Sequence, residues 1–349
     1  MNGSSVDPAD SNGERDRMSG NGSTSAFAPA SVGNVGVGFD TLGHAVDCAG
    51  DTVTLHPSEQ PGVHLGRVSG ALSELPAEPE RNTALRPIVA MLADHGVHGG
   101  VRVDVHKGIP LGSGMGGSAA SAVAAVVAAD AHWGLELPPD RLLAYAMLGE
   151  MVTSNSAHAD NAAPSLLGGL ILCEGGAAPQ ATPLPVPSGL CCVLVHPEIA
   201  IETREGRSVL SATVPIADHV RQTQFLAGFV AGCLRGDVAQ VGRCLRDIVV
   251  EPQRSRLIPG FDAAQRGALA AGAIGCSISG SGPSVFAWCP REKAAAVQAG
   301  LLAGFREAGL PATGWISPID APGARVLAPG DRIPLGQASA PLPQEPSNG

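Results

Sequence analysis

"IPLGSGMGGSAASAVAAVVAAD", residues 109–130, sets four glycines between Pro110 and Ser118 and then runs into unbroken alanine and valine. Glycine loses the most conformational freedom on ordering, so a cluster of it before a strong helix former needs a physical reason. A helix is expected over 118–133, with Ser118 as N-cap and Gly134 as C-terminal stop. First-turn amides lack intrahelical acceptors and the macrodipole makes that end partly positive, so phosphate is a natural guest. Glycines let the backbone curl close to such an anion, which makes the stretch a candidate nest of N–H donors.

Two other phosphate loops compete. A Walker A loop needs Lys after its last glycine, whereas Gly117 is followed by Ser118. Gly112, Gly114 and Gly117 satisfy the dinucleotide spacing. However, Asp130 falls inside the helix and Glu136 in a loop, so the acidic residue that should end a second buried strand is absent.

Outward from this stretch, strand-like alternation marks 51–57, 101–107, 190–197 and 284–289. Helical periodicity marks 84–95, 140–152, 219–234, 237–249, 262–271 and 291–308. Mixing of the two types in both halves predicts an α+β or mixed α/β protein. The Pro/Gly-rich run 175–189 reads as a linker, with a boundary near 185. The chain therefore divides into a disordered tail over 1–25, a domain over 26–185, a domain over 186–330 and a second tail over 331–349.

The 349 residues carry a net charge of −10 and only two lysines, Lys107 and Lys293, which argues against nucleic acid and anionic membranes as partners. Eight scattered cysteines with no Cys-x-x-Cys pair predict neither a metal cluster nor a disulfide framework. With no apolar leader and no run long enough to span a bilayer, a cytoplasmic protein is expected.

Two further glycine-rich segments accompany the first: "PASVGNVGVGFDTLG" at 29–43, with Asn34 and Asp40, and "GCSISGSGPSVFAWC" at 275–289. Together with Pro-x3-Gly-x-Gly-x-Ser-Ala at 110–119, these resemble the three motifs of the GHMP kinase superfamily. The fuller forms "NVGVGFDTLG", "HADNAAPSLLGG" and "DIVVEPQRSRLIPGF" resemble its branch acting on L-homoserine. The resemblance spans about 26–327. It implies an α+β, two-domain GHMP kinase fold: an N-terminal nucleotide-binding domain like the second domain of ribosomal protein S5, and a ferredoxin-like C-terminal domain. Whether the last strand near 324–327 returns to the first domain is open. One departure stands out: Met115 and Gly117 replace the usual Leu and first Ser of the second motif, while Ser118 is kept.

The resemblance also implies ATP and Mg2+, with L-homoserine as small-molecule acceptor, and leaves a homodimer open. It implies nucleotide contacts from Pro110, Leu111, Gly112, Ser113, Gly114, Met115, Gly116, Gly117, Ser118 and Ala119. Ser118 and Glu150 would hold the metal. Asp40, supported by Asn34, is the candidate for the substrate ammonium. Arg207 and Arg254 are candidates for its carboxylate, because guanidinium matches that group at two points. His158, Asn161, Thr203 and Gly280 complete the implied substrate site, with Asn161, Glu150 and Ser118 acting in the reaction. Asn161 takes no proton, so no protein general base is expected; a loose transition state needs little from one. Lys107 and Asn82 are either nucleotide contacts or exposed surface groups. The alternatives are another small-molecule kinase of the superfamily, or a nucleotide-binding regulator on the same fold.

Overall fold

The computed structural model describes residues 22–153, 159–175, 179–328 and 331. The tail expected over 1–25 lies outside them up to residue 21, and that over 331–349 lies outside them from 332 onward. In chain order the first half contains β1 (Thr24–Gly33), β2 (Leu42–Ser58), β3 (Gly62–Gly70), α1 (Leu85–Asp94), β4 (Gly100–Lys107), α2 (Gly117–Trp133), α3 (Pro139–Thr153), α4 (Ala162–Leu167), β5 (Leu170–Glu174) and β6 (Gln180–Leu184). The second half contains β7 (Leu190–Pro197), α5 (Thr203–Ser208), α6 (Ile216–Arg235), α7 (Val238–Cys244), α8 (Glu251–Arg254), α9 (Phe261–Ala270), β8 (Gly275–Ile278), β9 (Val285–Pro290), α10 (Ala294–Glu307), β10 (Ala312–Ser317) and β11 (Arg325–Leu327).

The first sheet runs β11-β1-β2-β4-β3, with β5 on β2 and β6 on β5; all its pairs are antiparallel except β3 with β4. β2 is long enough to serve two partners, holding β5 with Leu42–His44 and β4 with Thr52–Ser58. α2 lies against this sheet and is flanked by α1, α3 and α4. Twelve of its seventeen residues are buried, as its apolar circumference requires of a central helix. Small side chains allow α3 to come close: a Cβ on Gly149 would stand 2.7 Å from that of Ala122 and 2.4 Å from the Thr83 carbonyl. That approach sets the next residue, Glu150, beside the start of α2.

The second sheet runs β10-β7-β9-β8 and is antiparallel throughout, which is the 4-1-3-2 order of a ferredoxin-like unit. One face, with Cys191, Val193, Val195, Val285 and Ala287, packs with Phe261 and Ala264 of α9 and Leu301 and Phe305 of α10. On the other face Cys192, Leu194, Phe286 and Trp288 join the core of the first sheet together with Phe229 of α6. The fold is thus α+β with two sheets sharing one apolar seam.

Three local expectations are corrected. The cap of α2 is Gly116, left-handed at φ 69°, and Ser118 sits in the first turn instead; Gly134 at φ 59° ends the helix. The run 175–189 contains strand β6, paired to β5, because Ala181 and Leu184 find apolar cover on the first core. β11 pairs with β1, so the division at 186–330 fails at its end: Ile319 and Ala321 are already buried beyond β10, and β11 completes the first sheet. No helix among the described residues is long and apolar enough to cross a membrane.

Candidate active site

The glycine loop between β4 and α2 takes its shape from alternation: Gly112, Gly114 and Gly116 have φ of 62°, 74° and 69°, in the region that penalises a Cβ. The surrounding protein grips its carbonyls. Ile201 N donates to Gly112 O at 2.9 Å, Ser284 N to Ser113 O at 3.1 Å, Ser279 Oγ to Gly114 O at 2.7 Å and Ser31 N to Met115 O at 3.1 Å. Carbonyls held on one side turn the intervening amides to the other, and α2 adds its first-turn donors. Met115, Ala119 and Ser113 are buried, so their side chains anchor the loop and only their backbone is offered to an anion. Leu111 is 69% exposed at the tip.

Ser118 in the first turn of α2 hydrogen-bonds the Glu150 carboxyl. Burial raises the Glu150 carboxyl above the usual range, against the Ser118 hydroxyl bond and the positive field of Lys107. A buried carboxylate and a hydroxyl at the end of an anion loop fit a hard divalent cation that also takes phosphate oxygens. Among the described residues no group of three or more His, Cys, Asp or Glu forms a cage for a metal, so such an ion would rely on its phosphate partner.

Lys107 is not an exposed surface group. It is 6% exposed, paired with the buried Asp51 carboxylate, and donates to Gly117 O at 2.7 Å and Ser121 Oγ at 2.8 Å. Its three protons are spent bracing the start of α2 from beneath. Asn82 is also buried: its Oδ1 accepts from the amides of Ala84 and Leu85, and its Nδ2 donates to Pro76 O at 2.7 Å, which starts α1.

On the far side of the loop lies a charged cluster. Asn34, left-handed at φ 69°, accepts from the Asp40 amide at 2.9 Å and donates to Gly280 O at 2.8 Å. Arg207 holds Asp40 at two points, 2.7 and 3.2 Å. Arg254, 3% exposed, donates Nε to Gly206 O at 2.8 Å and Nη1 to Gly280 O at 3.0 Å. Burial, then the charge of Arg207, lowers Arg254 to about 10. Thr203 opens α5 one turn before Arg207, with its side chain exposed. His158 lies outside the described residues.

Asn161 joins the two halves. Its Oδ1 accepts from Ser31 Oγ at 2.9 Å, and a Cβ on Gly116 would stand 3.0 Å from the same oxygen. The preceding Asp160, which the sequence reading passed over inside "HADN", accepts from the Asn34 amide at 3.2 Å. Burial, then the Asp40 charge, raises Asp160 to about 7. The structure therefore brings together the loop, Ser118, Glu150, Asn161, Asn34, Asp40, Arg207, Arg254 and Gly280, with Lys107 bonded to Gly117 O at the loop's end and Asn82 at the start of α1.

The chain is similar to known proteins along most of its length. Residues 82–169 match the family described as GHMP kinases N terminal domain, and 229–307 that described as GHMP kinases C terminal. Homoserine kinase of Xylella fastidiosa is 46% identical over 86% of this chain and 93% of the relative, and that of Xanthomonas campestris 45% identical over 87% and 94%. The crystal structure of homoserine kinase from Cytophaga hutchinsonii superposes with a TM-score of 0.84 at 40% identity, covering 87% of this chain and 97% of that one. A mevalonate kinase from L. major shares the fold at a TM-score of 0.61 and 18% identity, over 84% and 96% of the two chains.

Proposed function

The chain belongs to the homoserine kinase family of the GHMP kinases, and on that premise we propose that it transfers the γ-phosphoryl group of ATP to the side-chain hydroxyl of L-homoserine, yielding O-phospho-L-homoserine and ADP. The observation that carries this reading is the position of Asn161. Its Oδ1 accepts from Ser31 Oγ, whose backbone N–H holds the Met115 carbonyl of the glycine loop, while its neighbour Asp160 accepts from the Asn34 backbone N–H of the charged cluster. A phosphoryl donor and an amino-acid acceptor bound to these two halves meet at this residue.

The loop amides and the first turn of α2 cradle the phosphate tail. Glu150 and Ser118 would hold Mg2+, which supplies charge neutralisation on the phosphates. Asp40 takes the acceptor ammonium; Arg207 and Arg254 take its carboxylate. The acceptor hydroxyl oxygen bonds to the γ-phosphorus as the bond from phosphorus to the ADP oxygen breaks, and the hydroxyl proton leaves to phosphate or water. Asn161 orients the hydroxyl without titrating. Positioning and charge neutralisation carry a loose transition state of this kind. The eight cysteines are free thiols, in keeping with a reducing, cytoplasmic setting.

ADP release measured against homoserine, mevalonate, galactose and shikimate tests the reading. Turnover with homoserine well above the other three is expected; no turnover with homoserine overturns it.

A further inference from the structure

Asp40 and Arg207 hold each other. Nη2 of Arg207 donates to Oδ1 of Asp40 at 2.7 Å and Nη1 to Oδ2 at 3.2 Å, with the Arg207 side chain 32% and the Asp40 side chain 19% exposed. These are the groups assigned above to opposite ends of the acceptor, and a guanidinium that faces Asp40 at two points does not present the same edge to a substrate carboxylate. Unused binding capacity stands nearby. Arg207 Nε is buried without a hydrogen-bond partner. Arg254 spends only Nε and Nη1 on carbonyls and shares the Phe39 ring with Arg207, at 5.1 and 5.5 Å from its centroid.

We infer that the Asp40–Arg207 pair is an internal stand-in for the zwitterion, exchanged when the acceptor enters, and that this exchange selects acceptors carrying both charges. The inference rests on the acceptor assignment above. A zwitterion replaces each partner it displaces: its ammonium takes the place of Arg207 on Asp40, and its carboxylate takes the place of Asp40 on Arg207. One ion pair becomes two, with alternating sign. An acceptor with only a carboxylate strips Arg207 from Asp40, which already feels the Asp160 carboxyl. An acceptor with only an ammonium strips Asp40 from Arg207 and leaves two guanidiniums over one ring. Separating a half-buried pair for one charge is costly, whereas trading it for two pairs is close to neutral. The cluster thus rejects single-charge acceptors by making them break something, beyond lacking a contact of their own.

The test uses kcat/KM for homoserine, for 4-hydroxybutanoate, which lacks the ammonium, and for 3-aminopropan-1-ol, which lacks the carboxylate. The wild-type protein is expected to favour homoserine over either analogue by about 100-fold or more. Turnover of either analogue within about tenfold of homoserine overturns the inference from the wild-type protein alone. Asp40→Asn releases Arg207, so homoserine activity falls while 4-hydroxybutanoate improves about tenfold over wild type; Arg207→Gln does the same for 3-aminopropan-1-ol. Calorimetric ATP binding reports that each variant is folded with its loop intact. If the analogues decline in step with homoserine in folded variants, the exchange is wrong and the acceptor assignment survives. If the wild-type protein turns over no homoserine at all, it is the assignment that fails.

Discussion

The indole N–H of Trp288 donates to Nε2 of His44 at 3.2 Å, tying β9 of the second sheet to β2 of the first. His44 is fully buried and its Nδ1 donates to the Ala45 carbonyl at 2.9 Å, so the ring is neutral with a fixed tautomer. Burial lowers its pKa from 6.5 to about 4, against the Ala45 bond. The unfolded chain binds the extra proton first, so this contribution is fully present above pH 6.5 and is lost as pH falls toward about 4. Its size is about 3 kcal/mol. His196, also lowered to about 4 by burial, adds a slope of the same sign, while Asp160 and Glu251, raised to about 7, oppose it. Urea unfolding of wild type and His44→Asn between pH 4.5 and 7 isolates one histidine: the variant should show a shallower rise of stability with pH. Trp288→Phe should cost about 1–3 kcal/mol by leaving the ring nitrogen without its donor.

Lys107→Met tests whether this lysine braces α2 or contacts nucleotide. It strands Asp51, which is 0% exposed, and such a change costs about 3–5 kcal/mol. Denaturant unfolding should show that loss, with part of it restored in the Lys107→Met, Asp51→Asn double variant. Unchanged stability with a raised KM for ATP would return Lys107 to the nucleotide.

Glu150→Gln should raise the Mg2+ concentration needed for half-maximal rate and lower kcat on the order of 100-fold. Ser118→Ala, which leaves the carboxylate in place, should do both to a smaller degree. Initial rates across a Mg2+ series at saturating ATP are the measurement, and a Gln variant with wild-type metal dependence would remove Glu150 from the metal.

Asp160→Asn keeps an oxygen for the Asn34 amide and removes the titration. In the wild-type protein Asp160 ionises as pH rises through about 7, adding negative field beside the ammonium site. The KM for homoserine should therefore fall several-fold between pH 6 and 8, with kcat little changed. The Asn variant should lose that inflection; a profile unaltered by the substitution would assign Asp160 a purely structural part.

How far the residues announce this arrangement varies with how local each determinant is. The loop and α2 are readable because their information is contiguous: alternating glycines, an alanine run and Gly134 sit within 26 residues, 109–134. Asn34, Asp40, Arg207 and Arg254 emerge only through the family motifs, since nothing in their own neighbourhoods says that they converge. The burial of Lys107 and Asn82 was not legible because their partners, Asp51 and Pro76, are brought to them by strand pairing and chain reversal. Asp160 was missed because its neighbour drew the attention, although a carboxylate inside an apolar, alanine-rich stretch is itself a signal of burial with a purpose. The Asp40–Arg207 pair was out of reach: two residues each expected to wait for substrate were found holding one another.

β11 beside β1 has a bearing on biogenesis. Ser25, Ala26 and Phe27 are matched to Leu327, Val326 and Arg325, so the edge of the first sheet is finished by a segment that follows the whole second sheet in the chain. The first sheet is then incomplete until every strand of the second has been synthesised. Because those strands lie side by side, a rearranged gene that joins them through a short hairpin and opens the chain elsewhere should still yield the same architecture.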